Sequence, residues 1–461
     1  MAAAIKSPVS SLPQQLLTQR ERIPVNIFDL AADASIHAAE QVADFIRQKA
    51  QANQQAVLGL ATGSTPTALY AHLIKLHREQ DLSFANVVTF NLDEYFPIQP
   101  DALQSYHRFM GEQLFNHIDI PPENINIPDG SLPLEAIPDH CAQYEQLIEE
   151  AGGIDIQLLG IGRSGHIGFN EPGSARSSLT RLISLDNVTR TDAAADFFGK
   201  QNVPRRAITM GIDTILRSKR ILLLAFGEGK SHVISQAVEG PVTTQLPSSY
   251  LQEHENISFI LDSAAAEQLT RYTAPWLLGP IDWHCRLRQK AVIWLAHKTN
   301  KSILKLTDED YNENHLQDIL AEDGPAYKIN LRVFRRLQQT ITGWPGGKPD
   351  YLKQPGDRSQ PFDDIFPKRV LIFSPHPDDD VISMGGTLLR LVEHGHEVHI
   401  AYQVSGSIAV FDEDALRFAD YAADFNQIFG CDFHFASGRL ARKSHHIQFV
   451  DCVFVVGKLS E

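Results

Sequence analysis

The chain has 461 residues, 43% of them hydrophobic and 21% charged, with a formal net charge of -15. That length exceeds a single hydrophobic core and predicts two domains of ordinary globular composition. The acidic balance excludes a nucleic-acid footprint and attraction to an anionic membrane, so any anion site must be local.

In chain order, residues 1–24 read as a short polar leader. Lys6 is present, but no sustained apolar stretch precedes Pro13, so the segment is not a signal peptide. No apolar run approaches the roughly 18 residues of a membrane span. Cys141, Cys285, Cys431 and Cys452 lie scattered without paired spacing. That predicts reduced thiols and neither a disulfide framework nor a cysteine zinc site. A cytoplasmic, non-membrane protein is expected.

Residues 25–290 form the first expected domain. Ile36, Ala39, Val42, Phe45 and Ile46 give Ser35–Ala50 helical spacing. Short runs with β-branched residues follow at Val57–Ala61, Val87–Phe90, Ile154–Leu159, Ile221–Ala225 and Ile257–Leu261. Helix-like segments separate them, which predicts an α/β domain with a mostly parallel sheet covered on both faces. Residues 291–340 form a helical extension, with Thr307 as a helix cap and a break at Gly324-Pro325. Leu331, Phe334 and Leu337 fall roughly on one face of it. Residues 341–368, with Trp344-Pro345-Gly346-Gly347-Lys348-Pro349, Pro355-Gly356 and Pro361, read as a linker. From Arg369 a second α/β unit opens: Val370–Phe373, a His/Asp loop, a helix from Val381, and the strand-like Val398–Val404.

In an open α/β sheet ligands sit beyond the carboxyl ends of the strands. Four first-domain loops hold that position. Ala61-Thr62-Gly63-Ser64-Thr65-Pro66 combines a turn glycine, hydroxyls and a helix start, a neutral cradle for phosphate; a plain N-cap explains Ser64 or Thr65 equally well. Asn91-Leu92-Asp93-Glu94-Tyr95 places adjacent carboxylates at a strand end, suited to proton transfer or merely to a turn with a solvated Glu. Gly160 to Pro172 carries Gly160, Gly162, Gly165 and Gly168 around His166, whose ring Glu171 can orient. Gly227-Glu228-Gly229-Lys230 brings a lysine to a helix start, where it pairs with phosphate or is simply solvated.

Leu60–Pro66, Phe90–Tyr95 and the glycine loop ending Phe169-Asn170-Glu171-Pro172 resemble the signature segments of glucosamine-6-phosphate deaminases. So do Thr189-Arg190, Ala207–Gly211 and Gly229-Lys230. The resemblance implies a modified Rossmann-like fold, a homo-oligomer, and a hydrolase/isomerase that turns glucosamine 6-phosphate into fructose 6-phosphate and ammonia without a cofactor. It implies Asp93 as the base between C2 and C1, and His166 with Glu171 and Ser164 in ring opening. Thr62, Gly63, Ser64, Thr65, Lys230 and Arg190 are implied as phosphate ligands. Two positions depart from the family pattern: Ser164 stands where an Asp is usual, and Asp196 where a phosphate-binding Arg precedes Phe197-Phe198. Arg190 or Arg181 are the expected compensators. Two rivals are a 6-phosphogluconolactonase-like hydrolase, disfavoured by Phe169-Asn170-Glu171-Pro172, and a non-catalytic phosphosugar sensor.

Ser374-Pro375-His376-Pro377-Asp378-Asp379-Asp380 places a His and carboxylates on one turn, a pattern that suits a divalent metal or caps the next helix. It resembles the start of the zinc-dependent LmbE/PIG-L deacetylases, which implies zinc on His376 and Asp379 with Asp378 as base. The third ligand would be a later His, and only His434, His445 and His446 follow. Residues 369–461 are therefore expected to be a partial deacetylase domain, and Phe449–Glu461 matches no pattern.

Overall fold

A computed structural model describes residues 20–338, 369–393 and 396–404, with isolated positions between 414 and 428. Residues 1–19, the expected linker, Cys431, Cys452, His434, His445, His446 and Phe449–Glu461 lie outside the described residues. The chain divides into two compact units, at Leu287/Arg288.

In the first unit, seven strands form one sheet in the order β1-β10-β9-β6-β2-β3-β5. They are β1 Val25–Phe28, β2 Ala56–Leu60, β3 Val87–Asn91, β5 Ile125–Asn126, β6 Ile156–Leu159, β9 Ile221–Ala225 and β10 Ile257–Asp262. Every pairing is parallel. Side chains alternate between two apolar layers: Ile221, Leu223 and Ala225 of β9 enter one, Leu222 and Leu224 the other. A strand buried on both faces reads as a continuous apolar run, the reason these runs stood out in the sequence. The helix Ala31–Gln51 closes one face through Ala34, Ala38, Val42 and Ile46 and is longer at both ends than its apolar spacing predicted.

Two sequence expectations need correction. Asp93–Phe96 is not a loop but strand β4, which pairs antiparallel with β8 Arg206–Thr209; β8 in turn pairs with β7 Arg181–Ser184. Its charged Asp93-Glu94 opening and short length hid it from pattern reading. The leader boundary at 24 is also too late: Ile23 is fully buried, and the Glu21 carboxylate accepts the Arg271 Nε–H at 2.6 Å.

The second unit contains helices Asp308–Glu313, Gln317–Asp323 and Ala326–Gln338. Thr307 and Asp310 form a reciprocal capping box, and Gly324 (φ 90°) ends the helix before it, as the Gly-Pro break predicted. The deeply buried stripe of the last helix runs through Ala326, Ile329, Asn330 and Val333, whereas Leu331, Phe334 and Leu337 are only half-buried. Buried Asn330 selects that stripe: it accepts the Tyr311 hydroxyl (2.7 Å) and donates to the Leu306 carbonyl (2.8 Å). Further along, β11 Arg369–Ser374 and β12 Glu397–Tyr402 pair in parallel, joined through the helix Asp379–Glu393. No helix among the described residues is long and apolar enough to cross a membrane.

Candidate active site

Strands β9, β6, β2 and β3 are consecutive neighbours in a parallel sheet, so all four carboxyl ends emerge on one edge. The loops 61–66, 160–172 and 227–230 and the start of strand β4 at Asp93 follow those ends and share that edge.

Asp93 sits at the start of β4, 5% exposed. Burial pushes its carboxyl up to about 8; the neighbouring Glu94 charge adds to this and a Thr62 hydrogen bond works against it. A group with that value is mostly protonated at pH 7, and its ionised fraction, which grows toward pH 8, can take a proton and return it. Gly168 (φ 55°) lies against it, and a Cβ there would be 2.9 Å from Thr209 Oγ1 and 3.4 Å from Asp93 Oδ2. Thr209 also accepts the Phe169 amide (3.1 Å), and Asn170 donates to the Ile167 and Met210 carbonyls, which ties the glycine loop to β8. Tyr95, Tyr106, Phe169 and Phe197 form the wall beside this carboxylate, with Tyr106 and Phe169 stacked at 6.1 Å.

Glu94 has another job. Successive strand side chains point to opposite faces, and Glu94, with no exposure, accepts the amides of Tyr95, Tyr106 and His107 at 2.8–3.1 Å. It therefore fastens β4 to the first turn of the helix Tyr106–Gln113, which Ser105 caps by accepting from the Arg108 amide. Burial raises its carboxyl to about 7 against those hydrogen bonds.

His166 presents Nδ1 to three groups: Ser164 Oγ at 2.9 Å, Thr189 Oγ1 at 3.4 Å and Glu171 Oε2 at 3.4 Å. Thr189 donates to Glu171 Oε1 at 2.6 Å. Burial works against Glu171 ionisation, yet hydrogen bonds from His166 and Thr189 outweigh it and hold its pKa below the ordinary value. The expected Ser164–His166–Glu171 grouping is thus assembled, with Thr189 as a fourth member. Gly162 makes the ring position possible, since a Cβ there would lie 2.1 Å from the imidazole.

The 62–65 turn is solvent-facing at Gly63 (φ 91°) and Ser64, and the Thr67 hydroxyl donates to the Ser64 carbonyl at 2.8 Å. Thr62 faces Asp93, not solvent alone. Lys230 ends the short turn Glu228–Lys230; burial lowers its pKa, with Asp192 raising and Arg163 lowering it further. Arg190 and Arg181 have structural partners: Arg190 donates to the carbonyls of Lys200 and Val203, and Arg181 to Asn170 Oδ1 and Ser174 Oγ. Asp196 is exposed and its charge falls on Tyr95. Pattern reading gave no role to Arg163 and Thr209, although both lie in segments it singled out, and it missed Tyr106 and Asp192, which come to the site from folding and carry no motif of their own.

Residues 29–259 match the family model described as glucosamine-6-phosphate isomerases/6-phosphogluconolactonase. The chain belongs to this family. A protein of Bacteroides thetaiotaomicron named glucosamine-6-phosphate deaminase-like is 48% identical over 92% of the chain, which spans 63% of that relative's length. Glucosamine-6-phosphate deaminase 2 of Bacillus subtilis is 51% identical over 49% of the chain and 91% of its own length. The solved structure of a monomeric glucosamine-6-phosphate deaminase aligns with TM-score 0.51 and 44% identity, over 53% of this chain and all of that one.

Residues 371–423 match the GlcNAc-PI de-N-acetylase model. In that segment His376 Nδ1 lies 3.0 Å from Asp379 Oδ2, which also accepts the His376 amide, while Asp378 is exposed and buried Asp380 is tied to Ser374. No group of three metal-ligating side chains is gathered among the described residues. Among the described residues His376 and Asp379 supply two of the three protein ligands that a catalytic zinc takes.

Proposed function

We propose that residues 20–287 catalyse the isomerising deamination of glucosamine 6-phosphate to fructose 6-phosphate and ammonia. The observation that carries this reading is Asp93: a buried carboxyl poised near neutrality, on the same sheet edge as a hydrogen-bonded histidine cluster and an anion-suited turn. With the sugar phosphate on the 62–65 turn and Lys230, His166 moves the proton that opens the ring. Asp93 then takes the C2 proton and returns it to C1. The C2 amine becomes an imine, which adds water and expels ammonia. Water enters only in that last stage, so the broad hydrolase label expected from the sequence gives way to the isomerase and deaminase names that the family and its relatives bear.

The relatives' deaminase names favour this over lactone hydrolysis, for which the glycine loop offers no separate support. A cytosolic setting accords with the free thiols of Cys141 and Cys285. The homo-oligomer implied by family resemblance stands beside a monomeric solved relative, and sedimentation of the full chain decides between them. The central test is ammonia release from glucosamine 6-phosphate, coupled to fructose 6-phosphate detection, alongside hydrolysis of 6-phosphogluconolactone. Turnover of the lactone alone, or binding with no turnover, overturns the proposal.

A further inference from the structure

The family's phosphate-binding arginine has no counterpart at Asp196. Of the arginines expected to replace it, Arg181 donates to Asn170 and Ser174, and Arg190 donates through Nη2 to the Lys200 and Val203 carbonyls while its buried Nε has no hydrogen-bond partner among the described residues. A different arginine is better placed. Arg163 stands in the glycine loop between Gly162 and Ser164, and its side chain is 56% exposed. Its Nε donates to Asp192 Oδ2 at 3.0 Å while Nη2 pairs with Oδ1, a two-pronged grip on one carboxylate. Both Arg163 and Asp192 lie within electrostatic range of Lys230. The planar guanidinium fork that fits a carboxylate fits a phosphate in the same way.

We propose that Arg163 is a second phosphate ligand of this site, held by Asp192 until the phosphoryl group arrives and takes the carboxylate's place. This rests on the phosphosugar reading of the site but not on its chemistry. An exposed ion pair contributes little to stability, so exchange of one oxyanion partner for another is close to neutral. Partial burial makes the Lys230 charge costly without an anion, and Asp192 supplies one until substrate does. The Asp192 charge also opposes the incoming dianion. The site therefore trades some affinity for a cation kept in place, and Asp192 works against the ligand that Arg163 binds.

The test uses the full chain with Arg163→Gln, Arg163→Lys and Asp192→Asn, and inorganic phosphate as the probe by calorimetry. Arg163→Gln should weaken phosphate binding and raise KM for glucosamine 6-phosphate about 10-fold, with kcat changed by less than about 2-fold. Arg163→Lys should recover part of the loss. Asp192→Asn should act in the opposite direction, tightening phosphate about 3-fold. A purely structural ion pair would make both neutralising variants weaken binding alike, and that result, or unchanged phosphate affinity in Arg163→Gln, overturns the proposal. If no protein in the set releases ammonia but the phosphate ranking holds, Arg163 stands as a ligand and the deaminase reading falls.

Discussion

Asp93→Asn removes the base and, unusually for an active-site change, should make the protein more stable at neutral and alkaline pH. Folding carries this carboxyl from an ordinary value of 3.8 to about 8. Between those values the unfolded chain releases the proton that the folded chain keeps, so stability falls as pH rises through the window, and the cost is complete above pH 8. At about 1.4 kcal/mol per pH unit the ceiling is about 4 kcal/mol at pH 7 and about 6 kcal/mol above pH 8. Asn reproduces the neutral carboxyl in shape and can still accept from Thr62, so it escapes this cost. Relaxation around Asp93 and its coupling to Glu94 reduce the gain, and at least about 2 kcal/mol should remain at pH 8, or about 4–8 °C in Tm for a domain of this size. The assay is thermal unfolding of native and Asp93→Asn protein from pH 4 to pH 9, with the transition of residues 20–287 marked by its shift on adding inorganic phosphate. The Tm difference should be near zero at pH 4, grow to pH 8 and then level off. Meanwhile kcat should drop about 100-fold or more with phosphate still bound. A difference that does not vary with pH, or an Asn variant that melts below the native protein at pH 8, refutes the burial argument; retained turnover refutes the role.

Glu94→Gln removes the like charge that helps raise Asp93, so the acid limb of kcat/KM, set by ionisation of the base, should move to lower pH; a limb that stays put or moves up counts against the coupling. Gly162→Ala would set a Cβ 2.1 Å from the His166 ring, so kcat should fall about 100-fold with phosphate affinity intact; near-native kcat would mean the ring is free to work elsewhere. Ser164→Ala deletes the 2.9 Å contact to His166 Nδ1 and should lower kcat several-fold, whereas Ser164→Asp favours the imidazolium and should raise it. Equal losses in both would show that the serine is optimal in this site. Exhaustive chelation should leave ammonia release unchanged, and a loss restored by added metal would reveal a ligand set among these loops.

Strand runs, punctuating Gly and Pro, and the glycine–histidine loop were legible from the sequence because each is a local consequence of composition. Buried parallel strands must be apolar throughout, a tight turn needs glycine, and a helix start favours a cap such as Thr307. Even the Ser164, His166 and Glu171 grouping follows from a separation of a few residues. Tertiary structure alone decided the rest. The order β9-β6-β2-β3 puts four site segments on one edge although about 160 residues separate the first from the last, and no local pattern encodes strand order. Asp93 and Glu94 are chemically similar neighbours, yet one faces the glycine loop and the other caps a helix, because alternation along β4 sends them to opposite faces. The same holds for the arginines: the sequence pointed to Arg190 and Arg181, and only packing shows that these donate to backbone, amide and hydroxyl oxygens while Arg163 meets a carboxylate. Local patterns specify which chemical groups the chain carries. Long-range pairing and burial determine which of them meet, and with what charge.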